Sequence, residues 1–279
     1  MTRRNIFELM QEKYDYNEEI RKINKLLNTP MISCKGQKFT LENFVDTCEF
    51  DNWKNSCHYI NCEELKDALK INKMINLCFR GYDISIEDIL VFIEYILNIT
   101  SLCEKSILIV TNKVSFTKPY PRLIKNIEIL LSNLNYEYRY FDKEEKVILV
   151  ERDSAAFAVA DIVEEELAFK VIEYNHYLLK GDLDRKRNIL KALADKIEGF
   201  RDNLDKDLSS DFGFLANNIN IRHNNLDGKN KKEYLVNIEN EELESWYDET
   251  YQVMLLCILE NNYKESLTNK IEEIKTKIN

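Results

Sequence analysis

The chain has 279 residues, of which 44% are hydrophobic and 32% are charged, and its formal net charge is −10. This length suits one large or two ordinary domains, and we expect two. No stretch approaches the roughly 20 uninterrupted apolar residues of a membrane-spanning helix, and the acidic balance argues against a protein covered by nucleic acid, although a local basic site stays open.

The first part of the chain is predicted to be helical, since the whole sequence contains only six glycines and three prolines. Apolar residues spaced three and four apart predict an amphipathic helix over residues 4 to 27, which ends before Pro30. Residues 31 to 60 show no clean period and are predicted to be irregular, apart from a short helix near residues 41 to 48.

Further helices of this region are predicted over residues 61 to 79, 85 to 98 and 119 to 134. Asn61 can cap the first of them, and Ser85 opens the second with the pattern of a capping box. The apolar run SILIVT at residues 106 to 111 fits either a buried strand or a continued helix, because a short apolar run has no decisive period.

A β-hairpin is predicted at the end of this region. The segment YEYRYF at residues 136 to 141 alternates with a period of two, DKEE forms a polar turn, and KVILVE at residues 146 to 151 is strongly β-forming. We therefore expect an N-terminal domain of residues 1 to 151, helical and closed by this hairpin, that senses a signal or docks a partner.

The remaining residues, 152 to 279, are predicted to form a second, helical domain. Its first expected helix covers residues 153 to 179 and is terminated by Gly181, and the second begins after a cap at Asp182 and ends near residue 204. A third, shorter helix is capped within residues 209 to 211 and ends at residue 221. A fourth is capped by Asn240 and ends near residue 259. A tail helix over residues 266 to 279 carries a narrow apolar seam that is compatible with a partner helix.

The cysteines indicate a reducing compartment. Their number is odd, and the first residues turn polar too early for a secretory signal, so we expect free thiols and a cytoplasmic protein. Cys48, Cys57, His58 and Cys62 lack the close Cys-x-x-Cys pairs of structural zinc sites. Because glycine-rich phosphate loops and zinc-protease motifs are also missing from the sequence, we expect neither a metal nor a cofactor.

Histidines are the first candidates for proton transfer, since imidazole titrates near neutral pH. His176 shares a predicted helix face with Ile172 and Leu179, which favours a hydrogen-bonded core histidine over a catalytic base. His223 directly follows Arg222 at a predicted helix end that is rich in amides, contributed by Asn217, Asn218, Asn224 and Asn225.

Two interpretations of this polar segment are open from its residues. A guanidinium could neutralise the charge of a phosphodiester while an imidazole moves a proton. Alternatively, the asparagines bind helix carbonyls and form turns, and Arg222 is simply exposed. A basic cluster lies around the start of the helix predicted from Asp182 and also has two interpretations: a solvated helix face, which we favour, or a local patch for a polyanion. Its residues are Lys180, Arg185, Lys186, Arg187 and Lys191.

The runs LANNINIRHNN at residues 215 to 225 and ELESWYD at residues 242 to 248 resemble the C-terminal helical domains of bacterial abortive-infection proteins. Those domains are similar to the wider HEPN superfamily, in which many members are dimeric, metal-independent ribonucleases. The superfamily motif is an arginine followed several residues later by a histidine near a helix end. Here His223 follows Arg222 at once and no later histidine exists, so the sequence departs from that motif.

The resemblance, which covers about residues 153 to 262, implies a mainly α protein with a HEPN-like C-terminal bundle. As an enzyme, it would be a phage-defence or toxin-type effector that cleaves RNA without metal and acts as a homodimer. Arg222 would clamp the phosphate, and His223 or His176 would act as the base. The residues expected to bind or orient RNA are Asn218, Asn224, Asn225, Lys180 and Arg185.

The alternative function is a non-enzymatic helical interaction module, a degenerate HEPN-like domain that dimerises or binds a protein partner. The enzyme hypothesis predicts that Arg222 and His223 are exposed in a cleft. The module hypothesis predicts that Arg222 forms a salt bridge within its own fold, for instance with Glu241, Glu242 or Asp248. The contacts of Arg222 therefore bear directly on the choice.

Overall fold

The computed structural model of the chain describes residues 14–56, 58–109, 114–226 and 228–278. It is 68% helix and 9% strand, which confirms the expected mainly α class with small antiparallel sheets. Its contacts divide the chain into two compact units, Met1–Leu149 and Val150–Asn279, which we call the N-terminal and C-terminal units. Among the described residues, no helix has the length and apolar content needed to cross a membrane.

Among its described residues, the N-terminal unit has six α-helices and five strands. In chain order they are α1 (Tyr16–Leu27), β1 (Ile32–Cys34), β2 (Gln37–Phe39), α2 (Leu41–Cys48), α3 (Cys62–Ala68), α4 (Ile71–Phe79), α5 (Ile86–Ile109), β3 (Val114–Phe116), α6 (Pro119–Leu134), β4 (Tyr136–Phe141) and β5 (Lys146–Glu151), the last crossing into the next unit. Side-chain caps begin several of these helices: Asn61 accepts from the Glu64 amide, and Ser85 Oγ accepts from the Asp88 amide.

Two of the helix predictions for this unit were wrong in extent. The helix expected over residues 61 to 79 is broken at Lys70, whose φ of 59° is left-handed, so α3 and α4 are separate. The helix expected to end near Asn98 continues as α5 to Ile109, which makes residues 106 to 109 helical, and the last two residues of SILIVT lie outside the described chain. Likewise, only residues 14 to 27 of the first predicted helix are described.

A three-stranded sheet forms where irregular structure was expected. β1 pairs antiparallel with both β2 and β3, and Ile32 lies opposite Phe39 on one side and Phe116 on the other. Lys35 and Gly36, with φ of 49° and 85°, form the tight turn between β1 and β2, as type I′ hairpin turns require. The predicted short helix over residues 41 to 48 is confirmed as α2, and the predicted hairpin is confirmed as β4 and β5.

The C-terminal unit is built of helices α7 (Ser154–Ala160), α8 (Glu165–Glu173), α9 (Leu183–Glu198), α10 (Lys206–Asn218), α11 (Glu233–Val236), α12 (Asn240–Asn262) and α13 (Thr268–Ile278), with a π-helical turn over Tyr263–Leu267. Its core is mainly aliphatic and includes Leu190, Leu193, Ile197, Met254 and Leu255. α9 and α12 pack against each other, and α12 also packs against α7 and α10. These contacts bring the end of α9 at Glu198 near Arg222, which follows α10.

Several boundaries in this unit correct the sequence predictions. The single long helix expected over residues 153 to 179 is instead α7, α8 and a short 3-10 turn over Tyr177–Leu179. The third helix is capped by Asp205 rather than within residues 209 to 211, and it ends at Asn218. α9 ends at Glu198, before the expected residue 204, whereas its predicted cap at Asp182 is confirmed by a bond from the Arg185 amide. Asn240 is the first residue of α12 and not its cap, which is Glu239.

Candidate functional site

The loop that follows α10 carries Arg222, the residue on which both functional hypotheses depend. The Arg222 amide donates to the Ala216 carbonyl at 3.0 Å, and the neighbouring Ile221 side chain is fully buried. The guanidinium Nη1 donates to Glu198 Oε1 at 2.6 Å, and both side chains are 30% exposed. Arg222 is therefore ion-paired within its own fold, as the module hypothesis expects, but its partner is Glu198 at the end of α9 and none of the three residues named as examples.

Glu198 also binds a second arginine. Arg201 Nη1 lies 3.2 Å from the same Glu198 oxygen, and its other donors bond to Ser209 Oγ at 3.2 Å and to the Ser209 carbonyl at 3.1 Å. The Arg201 guanidinium packs over the Phe212 ring and close to Gly213 of α10, where an added Cβ would lie 2.1 Å from Nη2. Two guanidinium groups thus share one carboxylate on this surface.

Two asparagines hold the loop backbone together. The Asn220 amide donates to Asn225 Oδ1 at 2.8 Å, and the Asn225 amide donates back to Asn220 Oδ1 at 3.1 Å. Asn220 has a left-handed φ of 64°, and Arg187 Nε donates to its carbonyl. Asn225 is only 1% exposed, and its Nδ2 donates to the Asn230 carbonyl at 3.1 Å. Asn225, expected to bind RNA, is thus buried within the loop.

The other amides and the histidine of this segment lie nearer the surface. Asn218 Nδ2 donates to the Phe214 carbonyl at 2.7 Å, while the Asn218 carbonyl accepts from the Tyr234 hydroxyl at 2.6 Å. Asn224 is exposed, and its Oδ1 accepts from the Leu226 amide at 3.2 Å in a local turn. His223 is exposed next to Arg222. The asparagines therefore act as the turn and helix-end interpretation expects.

His176 has a different local role from the one expected. It does not lie inside a helix with Ile172 and Leu179; it precedes the Tyr177–Leu179 turn, where its Nδ1 accepts from the Leu178 amide at 3.2 Å. Its ring stacks on Tyr177 with centroids 4.4 Å apart, and its backbone forms a bridge with Val150. The histidine is partly buried and caps a turn.

The predicted RNA-binding cations are at the opposite end of α9 from Arg222. Lys180 is exposed just before the helix, and Arg185, in its first turn, donates to Glu173 at the end of α8. Arg185 and Glu198 are about 13 residues apart on one helix, which corresponds to roughly 20 Å along its axis. The contacts in the structure do not bring these cations to Arg222.

A charged cluster around a buried lysine in the same unit was missed by sequence reasoning. Lys186 Nζ lies 2.8 Å from Glu244 Oε1 and 2.7 Å from Asp248 Oδ1, with a side chain only 8% exposed. The Tyr174 hydroxyl donates to the same Asp248 oxygen at 2.9 Å, and burial together with the Asp248 charge raises the pKa of Tyr174 far above its usual range. Lys186 is thus not part of a solvated basic face.

One sequence signal could have identified this cluster. Glu244 and Asp248 are four residues apart in the last major helix, so they project from the same face, and that face also carries buried apolar residues. Acidic side chains on a helix face that packs inward require a cation from a neighbouring element. The sequence alone does not say which of the many lysines of the chain supplies it.

Within the described part of the chain, no group of three or more His, Cys, Asp or Glu side chains is arranged to hold a metal ion. Of the cysteines considered as zinc ligands, Cys57 lies outside the described residues, while Cys48 and Cys62 are free thiols.

Comparison of the chain with protein-family models, with curated proteins and with solved structures finds no match. The functional conclusion therefore rests on the geometry described above.

Proposed function

We propose that the C-terminal unit is a non-enzymatic helical interaction module, a degenerate HEPN-like domain that dimerises, in a cytoplasmic protein. The observation that carries this proposal is the ion pair between Arg222 and Glu198 at 2.6 Å. A phosphate that approached this guanidinium would meet the Glu198 carboxylate, so it would bind only by displacing it or by bearing its repulsion. The buried side chains of Asn220 and Asn225 are engaged in holding the loop backbone through their mutual hydrogen bonds.

The surface that we assign to dimerisation is centred on the exposed aromatic side chains of Phe214 and Tyr234, which are 64% and 55% exposed. They are joined through Asn218, which donates to the Phe214 carbonyl and accepts from the Tyr234 hydroxyl. Exposed aromatic side chains of this kind are typical of interface centres. A second copy of the chain is the proposed partner, in keeping with the dimers of the superfamily that the sequence resembles.

The absence of nuclease activity is tested by RNA integrity in expressing cells. We compare the wild-type chain, a Glu198→Gln variant that releases Arg222 from its carboxylate, and an Arg222→Ala, His223→Ala double variant. The module hypothesis expects intact RNA and equal growth in all three cultures. RNA cleavage by the wild type or by Glu198→Gln that disappears in the double variant would refute it.

Dimerisation is tested by light scattering on the purified chain. We expect a dimer for the wild type and a monomer for a Phe214→Ser, Tyr234→Ser double variant that keeps its helical circular dichroism. Leu178→Ser is the matched control, because Leu178 is also exposed, at 52%, in the same unit but not on this surface. A monomeric wild type, or a dimer that survives the double change, would contradict the assigned surface.

The second candidate is the effector ribonuclease of phage-defence or toxin type. The observation that favours it is the exposure of His223 beside Arg222, since a general base must reach its substrate from solvent. In this candidate Glu198 acts as an internal inhibitor of the phosphate clamp. The RNA experiment above separates the two, because the Glu198→Gln variant should then cleave RNA faster than the wild type.

A further inference from the structure

A cavity of about 320 Å³ lies within the N-terminal unit, between α5, α6 and the β4–β5 hairpin. Leu97 from α5, Ile124 from α6 and Val147 from β5 provide its aliphatic walls. Tyr138 and Tyr140 line it from β4, where their spacing of two residues puts both rings on one face of the strand. By volume, such a cavity holds a molecule of roughly ten to fifteen non-hydrogen atoms.

Two hydroxyl groups of the wall have unsatisfied hydrogen-bonding capacity. Thr100 is only 4% exposed, and its Oγ1 is buried without a hydrogen-bond partner. The Tyr140 hydroxyl is also buried and has no partner with the geometry of a hydrogen bond. It lies close enough to Lys105 to raise the pKa of that lysine. Buried polar groups are nearly always bonded, so two such hydroxyls on one cavity indicate a polar atom supplied from elsewhere.

The charges at the rim restrict what can enter. Glu104, Asp142 and Lys105 all line the cavity, and Lys105 is already near Glu145, at 3.6 Å, and over the Tyr140 ring, at 5.2 Å. Two lining carboxylates, Glu104 and Asp142, against the one lining ammonium of Lys105 give a negative rim, which repels anions. Aromatic walls in turn favour a flat ring, which can stack or meet them edge to face.

We propose that this cavity binds a compact, uncharged, planar aromatic molecule whose N–H or O–H group hydrogen-bonds to the Thr100 hydroxyl or the Tyr140 hydroxyl. The ring packs between the two tyrosines of β4 and the aliphatic side chains of Leu97 and Ile124. The site goes beyond the proposed dimerisation of the C-terminal unit and does not depend on it. It gives the N-terminal unit a specific ligand chemistry.

Calorimetric titration of the full chain with indole and with adenine tests the site. We expect saturable binding of one molecule per chain for at least one of these uncharged probes, and binding at least tenfold weaker for indole-3-acetate, which carries the same ring with an anionic group. Thr100→Val keeps the side-chain shape and removes the hydroxyl, so it should weaken binding by about tenfold. Ser101→Phe should abolish binding by filling the cavity.

The matched control is Ser106→Ala. Ser106 lies on the same helix and is also buried, at 5% exposure, but its hydroxyl already donates to the Leu102 carbonyl and it does not line the cavity. This variant should bind like the wild type. Failure of both uncharged probes to bind, tighter binding of indole-3-acetate, or binding unchanged by both Thr100→Val and Ser101→Phe would overturn the proposal.

Discussion

Glu198 and Gly213 together determine the position of the arginines at the candidate site. The Glu198 carboxylate accepts from Arg201 and Arg222, and Arg201 can lie flat against α10 because residue 213 has no side chain. A glycine inside a helix ordinarily costs stability relative to alanine. Its presence here is explained by the close approach of the Arg201 guanidinium, which also keeps Glu198 between the two cations.

Gly213→Ala is therefore expected to lower the free energy of unfolding, whereas the same substitution in an ordinary helix raises it. Alanine in place of glycine stabilises an exposed helix interior by about 1 kcal/mol. Here the new Cβ would lie 2.1 Å from Arg201 Nη2, so the arginine must move and lose its bonds to Ser209 and Glu198. We expect a net destabilisation of about 1 kcal/mol, measured by urea unfolding followed by circular dichroism.

The control for this prediction is the same change in an Arg201→Ala background. With the guanidinium removed, Gly213→Ala should recover its ordinary helix effect and stabilise the protein by about 0.5–1 kcal/mol. If Gly213→Ala stabilises the chain equally in both backgrounds, the packing of Arg201 on Gly213 has no energetic role.

At the scale of elements, the Lys186 cluster joins three helices of the C-terminal unit. Lys186 lies on α9, Glu244 and Asp248 lie on α12, and Tyr174 immediately follows α8. The lysine also sits over the Tyr174 ring, at 5.1 Å from its centroid. Loss of Lys186 would leave the largely buried Glu244 carboxylate without its cation, whereas Asp248, which is 52% exposed, would stay solvated, so the cluster should respond mainly through Glu244.

Lys186→Met should destabilise the protein by about 1–2 kcal/mol at pH 7, less than the loss of a fully buried pair, because the Asp248 side chain is half exposed to solvent. The effect should depend on pH through Glu244: burial raises its pKa, but hydrogen bonds from the Gly181 amide and Lys186 outweigh burial and lower the pKa overall. Because the pKa of Glu244 is lower in the folded protein than in the unfolded chain, the ionised carboxylate stabilises the fold fully at pH values above the unfolded-chain pKa of about 4.3. This stabilisation is lost as the pH falls below that value. The deficit of the variant should thus shrink in acid.

Urea unfolding of wild type and Lys186→Met between pH 7 and pH 3 measures this difference. Lys191→Met is the matched control, since Lys191 is an exposed lysine on the same helix and should change stability by less than about 0.5 kcal/mol. A deficit that stays constant over this pH range would show that Glu244 does not depend on Lys186.

Element boundaries were predictable where a local side chain sets them. The caps at Asn61, Ser85 and Asp182 follow from short polar side chains that reach amides within the next turn. The interruption between α7 and α8 has no glycine or proline to mark it, and it exists because the two helices pack against each other. Tertiary packing of this kind overrides helical propensity.

At the scale of the whole molecule, the chain consists of two units, each with its own buried apolar core. The C-terminal unit comprises about 130 residues, a size at which a folded domain buries roughly two-thirds of the surface of its unfolded chain. The candidate functional site and the Lys186 cluster both lie inside this unit. The proposed small-molecule cavity lies inside the other.

The segment 150 to 279 is therefore expected to fold when it is expressed without the N-terminal unit. It should show a strongly helical circular dichroism spectrum and a single cooperative urea transition, because its core is formed by its own helices. A spectrum of an unfolded chain, or a gradual loss of signal without a transition, would contradict an autonomous unit.

The sequence by itself determined the helical class, the β4–β5 hairpin and the main helix caps, because each of these depends on residues within one or two turns of each other. Tertiary structure decided the rest. The pairing of β1 with β3 spans most of the N-terminal unit, and the ion pair of Arg222 with Glu198 joins two helix ends through a loop. Many carboxylates in this acidic chain could have neutralised Arg222, and the packing of both α9 and α10 against α12 selected the one that lies within reach.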